Sequence, residues 1–351
     1  MARKKGGGKG RQRARQRAQY DELDKYPVMP PHAFARIVRD KQTLNIIYQI
    51  IEPPLTKKEQ EQRDEIMDIF IRSLTANIEE IDSNPEAYVR TAMDKVIKSY
   101  SMKINKKSKS KLFYYLRRDL IGYGKMDVLM NDVNVEDISL DGTNVPIFAY
   151  HRKFESVETT CVWETDEELE SYVIKLAQRC GKHISVAEPL LDATLMDGSR
   201  IVMKLGHEIS TRGSAFCIRR FKDDPFSPAD IVAFRTMSSL MTAYLWIAFQ
   251  NEVPMLFVGG TASGKTTTLN AMCIFIPWQM KIVSIESTRE VNIPQPNWVP
   301  GLTRQGFGGE SDDGVIGEFE LLKAALRERP EYIIVGEIRG AEAYVLFQAM
   351  A

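Results

Sequence analysis

Cysteine is scarce in this 351-residue chain, and Cys161, Cys180, Cys217 and Cys273 are scattered without CxxC spacing. That argues against a zinc ribbon or a disulfide framework and fits a reducing cytosol. His151, His183 and His207 fall in different segments, so no metal-ligating cluster is indicated. Long apolar runs are missing. The longest, Leu240 to Phe249 (LMTAYLWIAF), is closed by Gln250, Asn251 and Glu252 and is too short to cross a bilayer, and no secretory signal is recognisable. Net charge is zero, with 47 basic and 47 acidic residues, yet Arg3, Lys4, Lys5, Lys9, Arg11, Arg13, Arg15 and Arg17 all precede the first acid, Asp21. The zero hides a cationic tail on an acidic body. Rich in Gly and Arg and poor in apolar side chains, this tail reads as disordered over residues 1–25. It is either a solvated arm or a peripheral contact for acidic lipid or nucleic acid.

What is present is an ordinary core-forming composition, 44% apolar, enough for two or three domains. Residues 26–124 read as a mostly helical extension after a start punctuated by Pro27, Pro30 and Pro31, with one strand pair around Thr43 to Ile51. Thr56 with Glu59 makes a capping box, and Ile66, Ile69, Phe70, Leu74, Ile78 and Ile81 follow at helical spacing. Ser83 with Glu86 opens a further helix, with Pro85 in its first turn. The lysine-rich KINKKSKSK, Lys103 to Lys111, reads as a solvated turn between helices. Residues 125–226 read as a small α/β domain. Its strands are EDISL (Glu136 to Leu140), PIFAYH (Pro146 to His151), SRIVMKL (Ser199 to Leu205) and SAFCIRRF (Ser214 to Phe221). A helix capped by Thr165 and Glu168 stops at Gly181.

The third block, 227–351, opens with Ser227 capping a helix at Pro228, followed by a helix over Thr236 to Gln250. It then carries GGTASGKTTT between the apolar MLFV, Met255 to Val258, read as a strand, and a helix starting near Thr266. The pattern G-x-x-x-x-G-K-[ST] is met by Gly259, Gly264, Lys265 and Thr266. Gly260 and Gly264 allow backbone shapes that turn consecutive N–H groups inward around phosphate oxygens, with Thr261, Ala262, Ser263 and Thr267 completing the loop. The helix adds the positive end of its dipole, Lys265 a point charge and Thr266 a hydroxyl for Mg²⁺. The pattern therefore predicts ATP and Mg²⁺ as cofactors. Two later strands, KIVSIE ending at Glu286 and YIIVGE ending at Glu337, present carboxylates where parallel strands meet a ligand crevice. Two such acids can divide the work of organising a metal and polarising water.

These motifs, in this order, resemble the hexameric ATPases of type II secretion, type IV pili, archaella and type IV secretion. The phosphate loop GGTASGKTT, the acidic box around VSIESTRE, the tract WVPGLTRQGFGG (Trp298 to Gly309) and the Walker B segment LRERPEYIIVGEIRGAEA (Leu326 to Ala343) carry the likeness. YPVMPPHAFARIVRD, YQIIEPPLT and VEDISLDGTNVPIFAYHRKFES add a similarity to the archaeal branch. The resemblance implies an α/β fold with a RecA-like P-loop motor domain. A ring of six subunits would work on a polytopic membrane platform protein from the cytoplasmic face. Glu286 would orient water, and Glu337 and Thr266 would support the metal. Arginines facing the nucleotide would be drawn from Arg200, Arg212, Arg219 and Arg220. Three departures stand out. Ser287 replaces the second acid of the box, Ala262 replaces a common glycine, and the chain stops at Ala351, before the Thr-Gly-His box of relatives. The last implies a motor domain incomplete at its C-terminus. A nucleic-acid translocase and a non-catalytic nucleotide-binding subunit are the alternative readings.

Overall fold

A computed structural model describes residues 19–72, 84–221, 225–260, 263–303, 316–338, 340 and 342–350. It divides into two compact units, one of residues 1–193 and 201–220, the other of 194–200 and 221–351. The mixed α/β class expected from the sequence is the one observed.

The first unit is built on a nine-stranded sheet. Its strands are β1 (Tyr20–Met29), β2 (Ala33–Asp40), β3 (Ile46–Ile51), β4 (Val135–Leu140), β5 (Pro146–His151), β6 (Glu155–Val162), β7 (Leu190–Thr194), β8 (Arg200–Lys204) and β9 (Ala215–Arg219), in the order β1-β2-β3-β6-β5-β4-β9-β8-β7. This corrects two expectations. Residues 20–25, assigned to the disordered tail, form the start of β1; residues 1–18 lie outside the described residues. Residues 26–124 are not a helical extension separate from 125–226, because β3 pairs in parallel with β6 (Ile47 opposite Glu158, Tyr48 opposite Thr159) and joins both stretches in one sheet. The prolines misled because β1 is an edge strand. There Pro27 interrupts no inner ladder.

A buried polar cluster locks the joined strands. Asp132 accepts at Oδ2 from the hydroxyls of Tyr26 (2.6 Å) and Tyr48 (2.7 Å), and at Oδ1 from the Asn134 amide (2.9 Å). His151 Nδ1 accepts from the Lys153 amide at 3.1 Å, which leaves its proton on Nε2, 2.9 Å from the Tyr26 oxygen. Tyr26 of β1 and Tyr48 of β3 thus converge on one carboxylate just before β4, and His151 of β5 joins them through Tyr26.

Three helices, α1 (Lys57–Arg72), α2 (Pro85–Ser99) and α3 (Lys106–Leu120), share a core of Ile66, Phe70, Val89, Met93, Val96, Leu112 and Leu116. The Thr56 and Glu59 box is formed reciprocally, with amide-to-side-chain distances of 2.8 and 3.2 Å. Asn84 rather than Ser83 caps α2, its Oδ1 accepting from Ala87 at 3.0 Å; Ser83, Leu74, Ile78 and Ile81 lie outside the described residues. The lysine-rich stretch is no turn beyond residue 105. Asn105 caps α3, accepting from the Ser108 amide at 2.8 Å, and Lys106, Lys107, Lys109 and Lys111 ride on the helix. Lysine is a good helix former, and the cap decides where the helix starts. After the short α4 (Asp127–Asn131), α5 (Asp166–Arg179) is capped by Thr165, with Gly181 beyond its end at φ +68°.

The second unit holds α6 (Pro228–Ala233), α7 (Ser239–Gln250), α8 (Lys265–Cys273), β10 (Ile282–Glu286), β11 (Trp298–Leu302), α9 (Glu318–Arg327), β12 (Tyr332–Val335) and α10 (Glu342–Met350). α7 starts three residues later than expected because Ser238 is its cap. Its three strands form a parallel sheet in the order β11-β10-β12. Buried Ile231, Phe249, Met272, Ile276, Ile282, Ile293 and Ile334 form the core beside it. Residues 255–258 are not a strand of this sheet, contrary to the sequence reading. Met255 and Phe257 pack on the core while Leu256 and Val258 are exposed, so the period-two burial is kept without ladder hydrogen bonds among the described residues.

Replacing Tyr48 by Phe removes one of the two hydroxyl donors to the buried Asp132 and is expected to cost about 1–2 kcal/mol in urea unfolding. Asp132→Ala strands both hydroxyls and costs more. Burial pushes the His151 imidazole below its ordinary value. The unfolded chain therefore takes up this proton first, at about pH 6.5, and the stability present above that pH is lost as pH falls through the lower folded value. His151→Gln should flatten that slope.

Candidate nucleotide-binding site

The chain enters α8 through Gly264, which stands at φ +86°, a left-handed conformation strained for any residue with a Cβ. As cap residue it offers the first-turn amides no side-chain acceptor. The N-terminus of α8 is thus suited to an anion. Lys265 opens the helix, and its Nζ donates to the carbonyls of Gly259 (2.9 Å) and Gly260 (2.7 Å). Ser263 Oγ donates to the Gly260 carbonyl at 2.8 Å. A methyl group on Gly259 would lie 2.6 Å from Ser263 Oγ and would push that hydroxyl from its place on the Gly260 carbonyl. Thr266 and Thr267 follow in the first turn of α8, while Thr261 and Ala262 lie outside the described residues.

Parallel pairing of β10 with β12 sets Ile285 opposite Val335, and the Gly336 amide donates to the Ile285 carbonyl at 2.9 Å. Glu286 and Glu337 therefore leave adjacent strands at the same end of the sheet. A Cβ at Gly336 would meet Glu286 Cγ at 3.2 Å, so glycine there makes room for the acid beside it. Ser287, at the position of the missing second acid, donates its hydroxyl to Glu337 Oε1 at 3.4 Å.

Glu286 itself is buried, 2% exposed. Its Oε1 accepts the amides of Glu290 (2.8 Å) and Val291 (2.7 Å). Its Oε2 lies 3.5 Å from the Ser284 hydroxyl, which in turn accepts the Trp298 indole N–H at 2.9 Å. Burial pushes the Glu286 carboxyl above its ordinary value, against the pull of the two amides and of Arg289. The turn that it holds is gripped from the other side by Asn270 of α8, which donates to the Glu290 carbonyl (2.8 Å) and accepts the Asn292 amide (3.1 Å). The helix that starts at Lys265 and the strand that ends at Glu286 are fastened to one turn.

The candidate arginines separate. Arg219, exposed at the end of β9, pairs with Asp137 opposite it in register, at 3.5 Å. Arg220 turns into the first unit and donates to the carbonyls of Asp132 and Val135. That commits it to holding the turn before β4. Arg212 is exposed, and its carbonyl accepts the Thr143 amide at 3.2 Å; Arg200 opens β8. Sequence reasoning passed over Asn270, Ser284, Arg289 and Trp298. All four stand in or beside the motifs already singled out, but their roles are tertiary, set by what packs against them.

The model of the family described as type II/IV secretion system protein matches residues 156–351. An uncharacterized protein of Methanocaldococcus jannaschii is 38% identical over 312 residues, 88% of this chain and 55% of that protein. The type IV secretion system protein VirB11 of Bartonella quintana is 29% identical over 212 residues, 51% of this chain and 58% of the relative. The chain thus spans little more than half the length of either relative. The solved ATPase DotB of Legionella pneumophila is a loose structural likeness, with a TM-score of 0.43 at 19% identity, covering 64% of this chain and 62% of that one.

Burial of Glu286 has a thermodynamic consequence. The unfolded chain releases this proton near pH 4.5, before the folded one does, so stability held below that pH is lost as pH rises through the raised folded value. Glu286→Gln should remove this loss, seen as a smaller drop in urea midpoint between pH 4 and pH 8.

Proposed function

Because the chain belongs to the type II/IV secretion system protein family, we propose that it is the ATP-binding and ATP-hydrolysing motor of a secretion, pilus or archaellum assembly machine. The observation that carries this reading is the shared turn at residues 290–292. Through Asn270 and Glu286 it fastens the phosphate-loop helix to the acid-bearing end of β10. Amides of the loop and of the α8 first turn would hold the phosphates, Lys265 would neutralise charge near the β and γ positions, and the Thr266 hydroxyl would reach Mg²⁺. Bound Mg²⁺ supplies charge neutralisation on the triphosphate. Glu337, half-buried at the strand end, is the carboxylate assigned to metal and water. Glu286 shapes the turn and, once its hydrogen bonds rearrange, orients water. In this reading Arg212, Arg200 or Arg219 supplies the cation that meets the γ-phosphate.

Assembly follows the same reading. Six copies form a ring at the cytoplasmic side of the membrane, and nucleotide turnover moves the two units against each other to work on a polytopic platform protein. Among the described residues no helix is long and apolar enough to cross a membrane, so any anchoring in this reading comes from partners or from the basic residues at the N-terminus.

Steady-state phosphate release separates the alternatives. Lys265→Ala is expected to abolish nucleotide binding, and Glu337→Gln to lower release by about two to four orders of magnitude while binding persists. Equal background in these variants and the unmodified chain, with nucleotide still bound, would instead identify a non-catalytic subunit. DNA-stimulated turnover that depends on residues 1–18 would identify a translocase.

A further inference from the structure

Arg289 has no part in the scheme above, yet its surroundings are unusual. Its guanidinium lies 5.3 Å from the Trp298 ring centre and 5.7 Å from that of Phe221, within cation–π range of both. Its Nε is buried and has no hydrogen-bond partner among the described residues. An unpaired buried donor is costly, and arginine in such a place is held by stacking and charge rather than by a fork of hydrogen bonds.

Each neighbour leads onward. Trp298 donates its indole N–H to Ser284, the residue beside Glu286 Oε2, and Arg289 belongs to the turn that Glu286 braces. Phe221 is where the chain passes from the first unit into the second, directly after Arg220. Its amide donates to Ser199 Oγ at 3.1 Å, and its ring lies so close to Gly198 that a Cβ there would meet it at 3.1 Å. Ser199 and Gly198 sit in the turn between β7 and β8, in the other short stretch that belongs to the second unit. The contacts run without a gap from Glu286 through Ser284, Trp298 and Arg289 to Phe221 and the 195–199 turn. The chain crosses between units three times, at 193/194, 200/201 and 220/221, and the second unit's residues beside these crossings, the 195–199 turn and Phe221, are joined to a stack that ends at the acidic box.

We propose that Arg289 is a positioning residue that couples the nucleotide-facing end of β10 to the chain crossing at Phe221. The proposal rests on the reading of this unit as a nucleotide-binding motor. Rearrangement of the Glu286 turn by bound nucleotide would shift Arg289 between its two rings and so tighten or release Phe221 from Ser199. Lysine at 289 keeps the charge but loses the flat face that stacks on both rings; leucine at 221 keeps apolar bulk but loses the π face.

The test is amide hydrogen exchange of the full chain with and without MgADP, read on peptides covering 195–199 and 221, with ADP binding measured separately by equilibrium dialysis. In the unmodified chain MgADP should change exchange at both segments, and Lys265→Ala should lose binding and response together. Arg289→Lys and Phe221→Leu should bind ADP as before while the response at 195–199 disappears. A general loss of stability would raise exchange with or without nucleotide, so only loss of the nucleotide-dependent difference supports the role. An unchanged response in Arg289→Lys, or no response in the unmodified chain with ADP bound, overturns the proposal. Failure of the unmodified chain to bind ADP overturns the parent reading and this one with it. Should Arg289→Lys not fold, Phe221→Leu decides alone.

Discussion

A carboxylate taken out of water and answered by two main-chain amides organises the second unit. Ionised, Glu286 would be expensive to bury at 2% exposure; the amides of Glu290 and Val291, both on one oxygen, offset that cost by bending the chain after β10 into a fixed turn. Everything else at this end of the sheet is hung on that turn. Asn270 ties α8 to it, Arg289 projects from it, and the parallel register with β12 sets Glu337 beside it. Gly336 suits the same place, since a Cβ there would press on the Glu286 side chain at 3.2 Å. An acid with this environment has two properties at once: it is a structural brace, and burial raises its proton affinity above that of an ordinary carboxylate.

The first unit shows the same economy with a different acid. Asp132 collects hydroxyls from β1 and β3 on a turn that precedes β4, and His151 of β5 completes the cluster through Tyr26. Such a network stabilises little per bond, but it penalises any strand arrangement that leaves a member without its partner. Arg220 reaches the carbonyl of the same Asp132, so the end of β9 is tied to that turn as well. The nine strands therefore behave as one sheet although their sequence reads as two regions of different character.

Local signals were legible where local physics settles the matter. The left-handed glycine at 264, the Thr56 and Thr165 caps and the Gly181 stop all appear where the residue types require them. Misreadings fell where a distant neighbour decides. Proline in YPVMPP reads as irregular chain until it is known to lie at a sheet edge. The lysines after Asn105 read as a solvated loop, and the cap together with the buried Leu112 and Leu116 draws them into a helix. MLFV alternates like a strand and packs like one on its inner side, but a ladder needs a second backbone alongside, which no pattern within four residues can supply.

By itself, the order of residues singled out the candidate groups: a glycine-bracketed lysine, a threonine after it and two glutamates closing apolar runs. It also determined the family, because motif spacing along a chain is a one-dimensional property. Which carboxylate is buried as a brace, which arginine is spent on carbonyl groups inside the first unit, and which is held between two rings at the chain crossing was decided only in the tertiary structure. Burial, hydrogen-bond partners and stacking are set by residues tens of positions away, and a side chain's role follows from what surrounds it after folding.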